Sequence, residues 1–298
     1  MAVENRAGII LGFYRKKFRL KMMKIIYRNF TRLLSVGAFG AHCPIEVMSG
    51  FKWNKLLLLA EAYGVSDFIC SGIVLTDGKL VPGDIFERAK GKMRPQKKTK
   101  EESDNKYTYS VKQKAKKFSS IYLNRRYNKL VFNEIHSIDT SVNSLILLNK
   151  LIDNINAFLD CGVNIRKLAD LGFYLRTCGN KIDFVKVDNW IKALKISNMC
   201  NLIACHLVFL FGFENGELPF LKAENSKYFY SIEQAFEKET NTVIMQVRHD
   251  TMRHGNDVSI NPIHKLNTHP LKYTVLFPVE ATSRFVSNIF KSLSNIDE

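Results

Sequence analysis

The apolar residues of this chain recur mainly at the three- and four-residue spacing of half-buried helices. The spacing is clear over residues 51–64, at Trp53, Leu56, Leu57, Ala60 and Tyr63. Gly64 follows this run, where a glycine commonly ends a helix. The same rhythm predicts further helices over residues 144–159, 165–177, 184–194 and 197–211. Short loops join them, and short loops favour antiparallel neighbours, so the pattern predicts an all-α fold, a mainly helical bundle.

Two short runs have the apolar, β-branched character of strands. They are K-L-V-F-N-E-I at residues 129–135 and T-V-L-F-P-V at residues 274–279. The predicted bundle therefore contains at most one or two short strands.

Neither a membrane span nor a secretory signal is predicted. The longest apolar runs, such as residues 56–60 and 207–211, fall far below the ~20 residues that a membrane helix needs. Residues 8–13 form a brief apolar patch that precedes a basic run, whereas a secretory signal has the reverse order. The sequence therefore favours a soluble cytoplasmic protein with no membrane partner.

The six cysteines lie in apolar surroundings, without a C-x-x-C motif or a Cys/His pair at zinc-finger spacing. This pattern predicts small buried thiols in a reducing compartment and no metal site. They are Cys43, Cys70, Cys161, Cys178, Cys200 and Cys205.

The formal net charge of +16 is concentrated in two segments. Residues 1–32 hold nine Lys/Arg and one Glu, a net of +8, and residues 90–129 hold fourteen Lys/Arg and three acids, a net of +11. The remainder of the chain therefore sums to −3. A nearly neutral body thus carries two basic segments. We expect residues 1–22 to be a basic tail or an over-called start, and residues 91–129 a basic linker or excursion.

Four runs follow one another in the second half of the chain. Residues 160–175 read D-C-G-V-N-I-R-K-L-A-D-L-G-F-Y-L, and the next three are I-D-F-V-K-V-D-N-W-I-K-A-L, M-C-N-L-I-A-C-H-L-V-F-L-F-G and E-L-P-F-L. In order and spacing, these runs resemble the helical C-terminal part of an uncharacterised bacterial nucleotidyltransferase family. Near the beginning of the chain, a W-x-x-L-x-x-L-A pattern followed by V and G-I is also similar. Its positions are Trp53, Leu56, Leu59, Ala60, Val65, Gly72 and Ile73, and helical packing is sufficient reason for each of them.

The resemblance covers about residues 25–80 and about residue 143 to the C-terminus, and it omits the catalytic head. Members of the family carry a G-[GS]…D-x-D head between two helical segments, where this chain has the lysine-rich segment. Nucleotidyl transfer needs carboxylates that hold Mg²⁺ against a nucleoside triphosphate, beside a glycine-bearing turn. Asp77 and Asp84 are the nearest candidates, but they are not spaced like D-x-D. Asp84 instead reads as an acid in the first turn of a helix.

Two further motifs of the family bear on this interpretation. Arg166 and Asp170 lie four residues apart in an R-x-L-x-D element, on one helical face, where they can pair or stand near a nucleotide site. An H-x-x-x-H pair that often precedes this element is replaced here by Asp153 and Ala157. The resemblance therefore implies a non-catalytic binding or scaffolding module for a protein partner, without a cofactor. The alternative is an active nucleotidyltransferase with an unrecognised Mg²⁺ and NTP site.

The basic segment suggests a second alternative, the binding of RNA or another polyanion. Its cations have the chemistry for phosphate contacts, and its aromatic residues have the chemistry for base stacking. The cations are Lys112, Lys114, Lys116, Lys117, Arg125, Arg126 and Lys129, and the aromatic residues are Tyr107, Tyr109, Phe118, Tyr122 and Tyr127. The plain alternative is a solvated linker whose lysines keep an exposed region soluble.

One motif points to a different class of enzyme. Residues 248–254 read R-H-D-T-M-R-H, which fits the R-x₄₋₆-H pattern of HEPN ribonucleases. In that reading, Arg248 stabilises charge on a phosphate and His254 acts as an acid or base. The same residues also fit a late helix of the nucleotidyltransferase family that stops at Gly255-Asn256.

The expected organisation is one helical body with two basic appendages. Residues 23–90 form an N-terminal helical segment, residues 130–298 form a C-terminal one, and the two should pack together. Each segment has amphipathic helices that need a partner face.

Overall fold

The computed structural model describes residues 25–76, 80–92, 117–221 and 269–294. Those residues contain ten α-helices, connected by turns and three short 3₁₀ segments, and no β-strand. The predicted all-α fold is therefore confirmed. Within the same residues, no helix combines the length and the apolar character needed to cross a membrane.

The helices belong to two compact units. The first unit contains α1 (Ile25–Phe39), α2 (Gly50–Ala62), α3 (Ser66–Leu75) and α4 (Gly83–Lys92). The second contains α5 (Ile121–Ile135), α6 (Val142–Cys161), α7 (Ile165–Cys178), α8 (Phe184–Ala193), α9 (Ser197–Phe211) and α10 (Pro278–Ser294). The packing of residues 23–90 with residues 130–298 as a single body stays a prediction.

Helices α1 and α3 of the first unit cross at two glycines. A β-carbon on Gly37 would lie 1.7 Å from the backbone oxygen of Phe68, and one on Gly72 would lie 2.3 Å from the backbone oxygen of Leu33. No side chain fits in such a space, so the two backbones can approach only because both positions are glycine. The apolar positions of the W-x-x-L-x-x-L-A pattern are buried around this crossing, which confirms helical packing as a sufficient explanation of them.

Local capping explains where α2 ends. Gly64 has a φ of +64°, its N–H bonds to the carbonyl of Glu61, and the N–H of Val65 bonds to the carbonyl of Ala60. This is a Schellman arrangement, for which glycine is favoured.

The loop after α1 is held by Glu46. Its carboxylate accepts hydrogen bonds from Arg28 at 2.6 and 2.8 Å and from Arg32 at 2.8 Å. The bond from Arg28 holds the pKa of Glu46 below its ordinary value.

The second unit is built around α6 and α9, which are buried along most of their length. His206 of α9 lies in this core, with its ring edge-on to Phe158 at a centroid distance of 5.0 Å. Burial lowers the pKa of His206 to about 4, so its imidazole is neutral at neutral pH. Its Nδ1 lies 2.8 Å from the carbonyl of Leu202.

Both strand-like runs are wrong as strand predictions. Residues 129–135 complete helix α5, and residues 274–279 form a turn and the first residues of α10. In α5 the buried positions are Leu123, Tyr127, Val131 and Glu134, which follow the helical period across the whole segment. The residues of α5 pack against the core with the period of a helix over the whole segment. This packing outweighs the β propensity of the few residues that look like a strand.

The cysteines follow the prediction only in part. Cys70, Cys200 and Cys205 are buried and form no disulfide, and burial raises the pKa of the Cys200 thiol. Cys161 is exposed, because it is the last residue of α6 and precedes the turn at Gly162.

Candidate nucleic-acid interface

Helix α5 begins at a densely hydrogen-bonded segment, residues 117–120. The hydroxyl of Ser120 caps the helix by accepting the N–H of Leu123 at 3.5 Å. The side-chain oxygen of Asn124 accepts the N–H groups of Lys117 at 2.8 Å and Phe118 at 2.9 Å. The bond from Leu123 satisfies a donor that an isolated helix start would leave without a partner, and the two bonds to Asn124 tie the preceding residues to the first turn of α5.

A buried carboxylate from α10 completes this attachment. Glu280 is 0% exposed and accepts the N–H groups of Ser119 at 2.7 Å and Ser120 at 3.0 Å. Arg284 lies 3.2 Å from Glu280 and also binds Asp160 at 3.0 Å and Asn156 at 2.8 Å. Burial raises the pKa of Glu280, and its hydrogen bonds and Arg284 oppose that rise. The network holds the start of α5 against α6 and α10.

The inner face of α5 is fixed by packing and one hydrogen bond. Phe118 and Tyr127 are only 2% and 3% exposed, and their rings meet edge-on at 6.4 Å. The hydroxyl of Tyr127 donates to Asn149 of α6 at 2.5 Å. Burial raises the pKa of Tyr127 to about 12. These two aromatic residues belong to the core, so the prediction that they could stack on bases is wrong.

The outer face of α5 combines cations with exposed rings. Its exposed positions recur every three or four residues, and Ile121 at the start of the helix is among them. We call the polar and aromatic ones, together with the C-cap His136, the α5 face: Tyr122, Arg125, Arg126, Lys129, Phe132, Asn133 and His136. Tyr122 and Phe132 are 53% and 61% exposed, so both rings are open to solvent on the same side of α5 as the cations. At a rise of 1.5 Å per residue, the α5 face is about 20 Å long.

No acidic side chain offsets the positive charge of the α5 face from within α5. The only acid in the helix is Glu134, which is 7% exposed and points into the unit. Its carboxylate accepts the N–H of Ser141 at 2.7 Å and pairs with Lys186 of α8 at 3.1 Å. The outer face thus presents Arg125, Arg126 and Lys129 to solvent without a neutralising partner on the same helix.

Four members of the α5 face form two contacting pairs, Arg126 with Tyr122 and Phe132 with His136. The guanidinium of Arg126 lies 4.9 Å from the centre of the Tyr122 ring and donates to the carbonyl of Ala193, at the C-terminal end of α8, at 2.8 Å. The negative end of that helix favours a cation there. The rings of Phe132 and His136 lie 4.2 Å apart. Ordered side chains of this kind lose less entropy when they bind a ligand.

Only some of the cations that the sequence suggested for polyanion binding lie on the α5 face. Arg125 and Arg126 lie on the α5 face, whereas Lys117 is half-buried and pairs with Asp153 at 3.4 Å. Lys112, Lys114 and Lys116 lie outside the described residues. The sequence reasoning missed Phe132 and His136, because residues 129–135 read as a strand. A helical period continued from Tyr122 to His136 was the signal that could have found them.

The R-x-L-x-D element lies on α7, and the two positions that replace the H-x-x-x-H pair lie on α6. Arg166 and Asp170 are both exposed, one turn apart on α7, as their spacing predicts. Asp153 pairs with Lys117, and Ala157 is buried in α6. Arg248 and His254, the ribonuclease-like pair, lie outside the described residues, so their pairing stays a prediction.

The carboxylates considered for a magnesium site occupy separate places. Asp84 lies in the first turn of α4, as predicted, and Asp77 lies outside the described residues. Two further carboxylates follow in the chain, those of Glu134 and Asp139, and both pair with the ammonium group of Lys186, at 3.1 and 3.3 Å. Among the described residues, no cluster of three or more His, Cys, Asp or Glu side chains could hold a metal ion.

Comparison of the chain with protein-family models, with characterised proteins and with solved structures found no match.

Proposed function

We propose that this protein is a helical module that binds single-stranded RNA or a similar polyanion through the α5 face. The observation that carries the proposal is the arrangement of three exposed cations between exposed aromatic rings, with no exposed acid on the same helix. Lysine and arginine bind phosphate oxygens, and exposed rings stack on unpaired bases. One helix face offers both kinds of contact at fixed spacing.

The exposed rings favour a single strand over a duplex. A duplex buries the faces of its bases, so Tyr122 and Phe132 could stack on them only after the strands separate. Single-stranded regions present free base faces and a flexible backbone that can follow a helix of about 20 Å. Without base-edge contacts fixed in the site, we expect little sequence preference.

We also propose that the protein is a relative of the nucleotidyltransferase family that has kept the helical core of that family and uses it as this RNA-binding module. The support comes from the order and spacing of the motifs on both sides of the basic segment. In this view, the segment in the position of the catalytic head contributes charge for RNA.

The charge of the α5 face can be tested with one triple variant. Changing Arg125, Arg126 and Lys129 to glutamine should weaken the binding of a fluorescent single-stranded RNA by at least tenfold at low salt, because phosphate contacts are lost. It should also reduce the slope of log affinity against log salt by about 2, since each contact to a single strand contributes about 0.7. Fluorescence anisotropy at several salt concentrations measures both quantities.

The matched control removes the same charge elsewhere in the second unit. Lys167, Lys181 and Lys272 are exposed lysines on other elements, and their change to glutamine should leave most of the affinity. Equal losses in the two triple variants would show that only the overall charge attracts RNA.

The aromatic contribution can be tested with a second pair of variants. Phe132→Ala should weaken the binding of RNA, because it removes a ring that can stack on a base. Phe173→Ala removes a similarly exposed ring from α7 and should leave the binding unchanged.

The proposal that this protein lacks a nucleotidyltransferase head makes a separate prediction. Each NTP with Mg²⁺ should leave the melting temperature of the protein unchanged, because a ligand stabilises a protein only if it binds the native state. A metal-dependent rise in melting temperature would instead favour the active nucleotidyltransferase alternative. The same assay with single-stranded RNA in place of the NTP should give a rise in melting temperature, and it tests the RNA proposal separately from the NTP prediction.

A further inference from the structure

Helices α2, α3 and α4 of the first unit enclose a cleft of about 260 Å³. One face of α2 supplies Leu57 and Leu58, which are only half-buried although leucine is a core residue. Ser66, Cys70 and Ala89 lie opposite, on α3 and α4. Ser66, Cys70 and Ala89 are small, so this side of the cleft leaves room for a ligand above the two leucines.

The apolar floor is separate from the packed core of the unit. Trp53, Leu56, Leu59 and Ala60 of α2 are fully buried, and they occupy different positions around the helix from Leu57 and Leu58. Helix α2 thus has two apolar faces, one packed and one that lines the cleft. An apolar floor that solvent can reach is typical of a ligand site.

Two opposite charges line the cleft from different helices. Glu61 is exposed at the C-terminal end of α2, and Arg88 is exposed on α4. Among the described residues, neither the carboxylate of Glu61 nor the guanidinium of Arg88 takes part in a hydrogen bond or an ion pair. By contrast, Arg28 and Arg32 of the same unit share Glu46, and Glu87 and Lys90 lie within 3.6 Å of each other. The two charges of the cleft are therefore available to a ligand.

We infer that this cleft binds a small zwitterion with an apolar body, such as a free apolar amino acid. Arg88 would receive the carboxylate, Glu61 the ammonium group, and the floor of Leu57 and Leu58 the apolar side chain. The cleft is slightly smaller than the sites of drug-sized ligands, which begin at about 300 Å³. A ligand of this size binds with a dissociation constant of about 1 mM.

L-Leucine is the probe for this inference. Titration by ligand-observed NMR should show binding that weakens at least threefold for leucinamide, which lacks the carboxylate, and for 4-methylpentanoate, which lacks the amine. Arg88→Gln should weaken the binding of leucine at least threefold, and so should Glu61→Gln. Both residues are exposed, so these changes should leave the fold intact.

Matched controls change neighbours that do not line the cleft. Glu87→Gln and Lys90→Gln alter the same kinds of charge on α4 and should leave the affinity for leucine unchanged. Equal binding of leucine, leucinamide and 4-methylpentanoate would overturn the inference, because the charges would then play no part. The absence of leucine binding at several times the expected dissociation constant would also overturn it.

Discussion

Gly72→Ala is expected to destabilise the first unit by about 3 kcal/mol, the upper end of the usual cost of overpacking a core. The added methyl group would lie 2.3 Å from the backbone oxygen of Leu33. Backbone atoms cannot rotate away as a flexible side chain does, so α1 and α3 must separate. Chemical denaturation followed by circular dichroism measures the loss, and hydrogen exchange of the amides of α1 and α3 should locate it.

Gly91→Ala is the matched control for this prediction. Gly91 lies in α4, and a β-carbon there has no neighbour within 4 Å. Alanine favours a helix over glycine, so this change should be neutral or stabilise the unit by up to about 1 kcal/mol. If Gly72→Ala unfolded at the wild-type denaturant concentration, the close crossing of α1 and α3 would be disproved.

The helices of this protein could be predicted from sequence because their buried faces follow a regular period. Helix α9 is predicted at its observed bounds, Ser197–Phe211, and the helix ends at Gly64 and Gly162 follow from glycine chemistry. The same period predicts the burial of Trp53 and Leu56. By contrast, the contact of Gly72 with Leu33 joins residues far apart in sequence, and no local pattern gives that distance.

The candidate interface could be predicted only in part, since composition does not tell which face of a helix is exposed. The basic segment pointed to Arg125 and Arg126, but it also offered Phe118 and Tyr127, which are buried. Phe132 has the same chemistry and is exposed, because it lies on the other side of α5. Orientation around the helix axis decides between core and interface, and it depends on contacts of α5 with α6 and α8.

Helix α10 shows a second limit of sequence patterns. Its inner face carries Glu280 and Arg284, whereas Val286, Phe290 and Leu293 are exposed. Apolar periodicity alone would place these residues the other way round. The charged residues lie inside because each has several hydrogen-bonding partners there, which offsets the cost of burying a charge. Those partners come from residues 117–120 and α6, so the arrangement depends on contacts across the unit.

Glu280→Ala is expected to destabilise the second unit by about 3 kcal/mol, because it leaves the N–H groups of Ser119 and Ser120 without their acceptor and removes a partner of buried Arg284. Glu280→Gln retains one acceptor oxygen and should cost less. Denaturation at neutral pH measures both losses.

The same change should also act on the candidate interface. Ser119 and Ser120 lead directly into α5, so the loss of their acceptor should loosen the first turn, which carries Tyr122. Hydrogen exchange should be faster at the first amides of α5, and the affinity for single-stranded RNA should fall. Glu217→Gln is the matched control, because its ion pair with Arg176 is exposed and contributes less than about 1 kcal/mol. If Glu280→Ala unfolded like the wild type, or loosened α5 no more than Glu217→Gln does, Glu280 would not be the anchor of this helix.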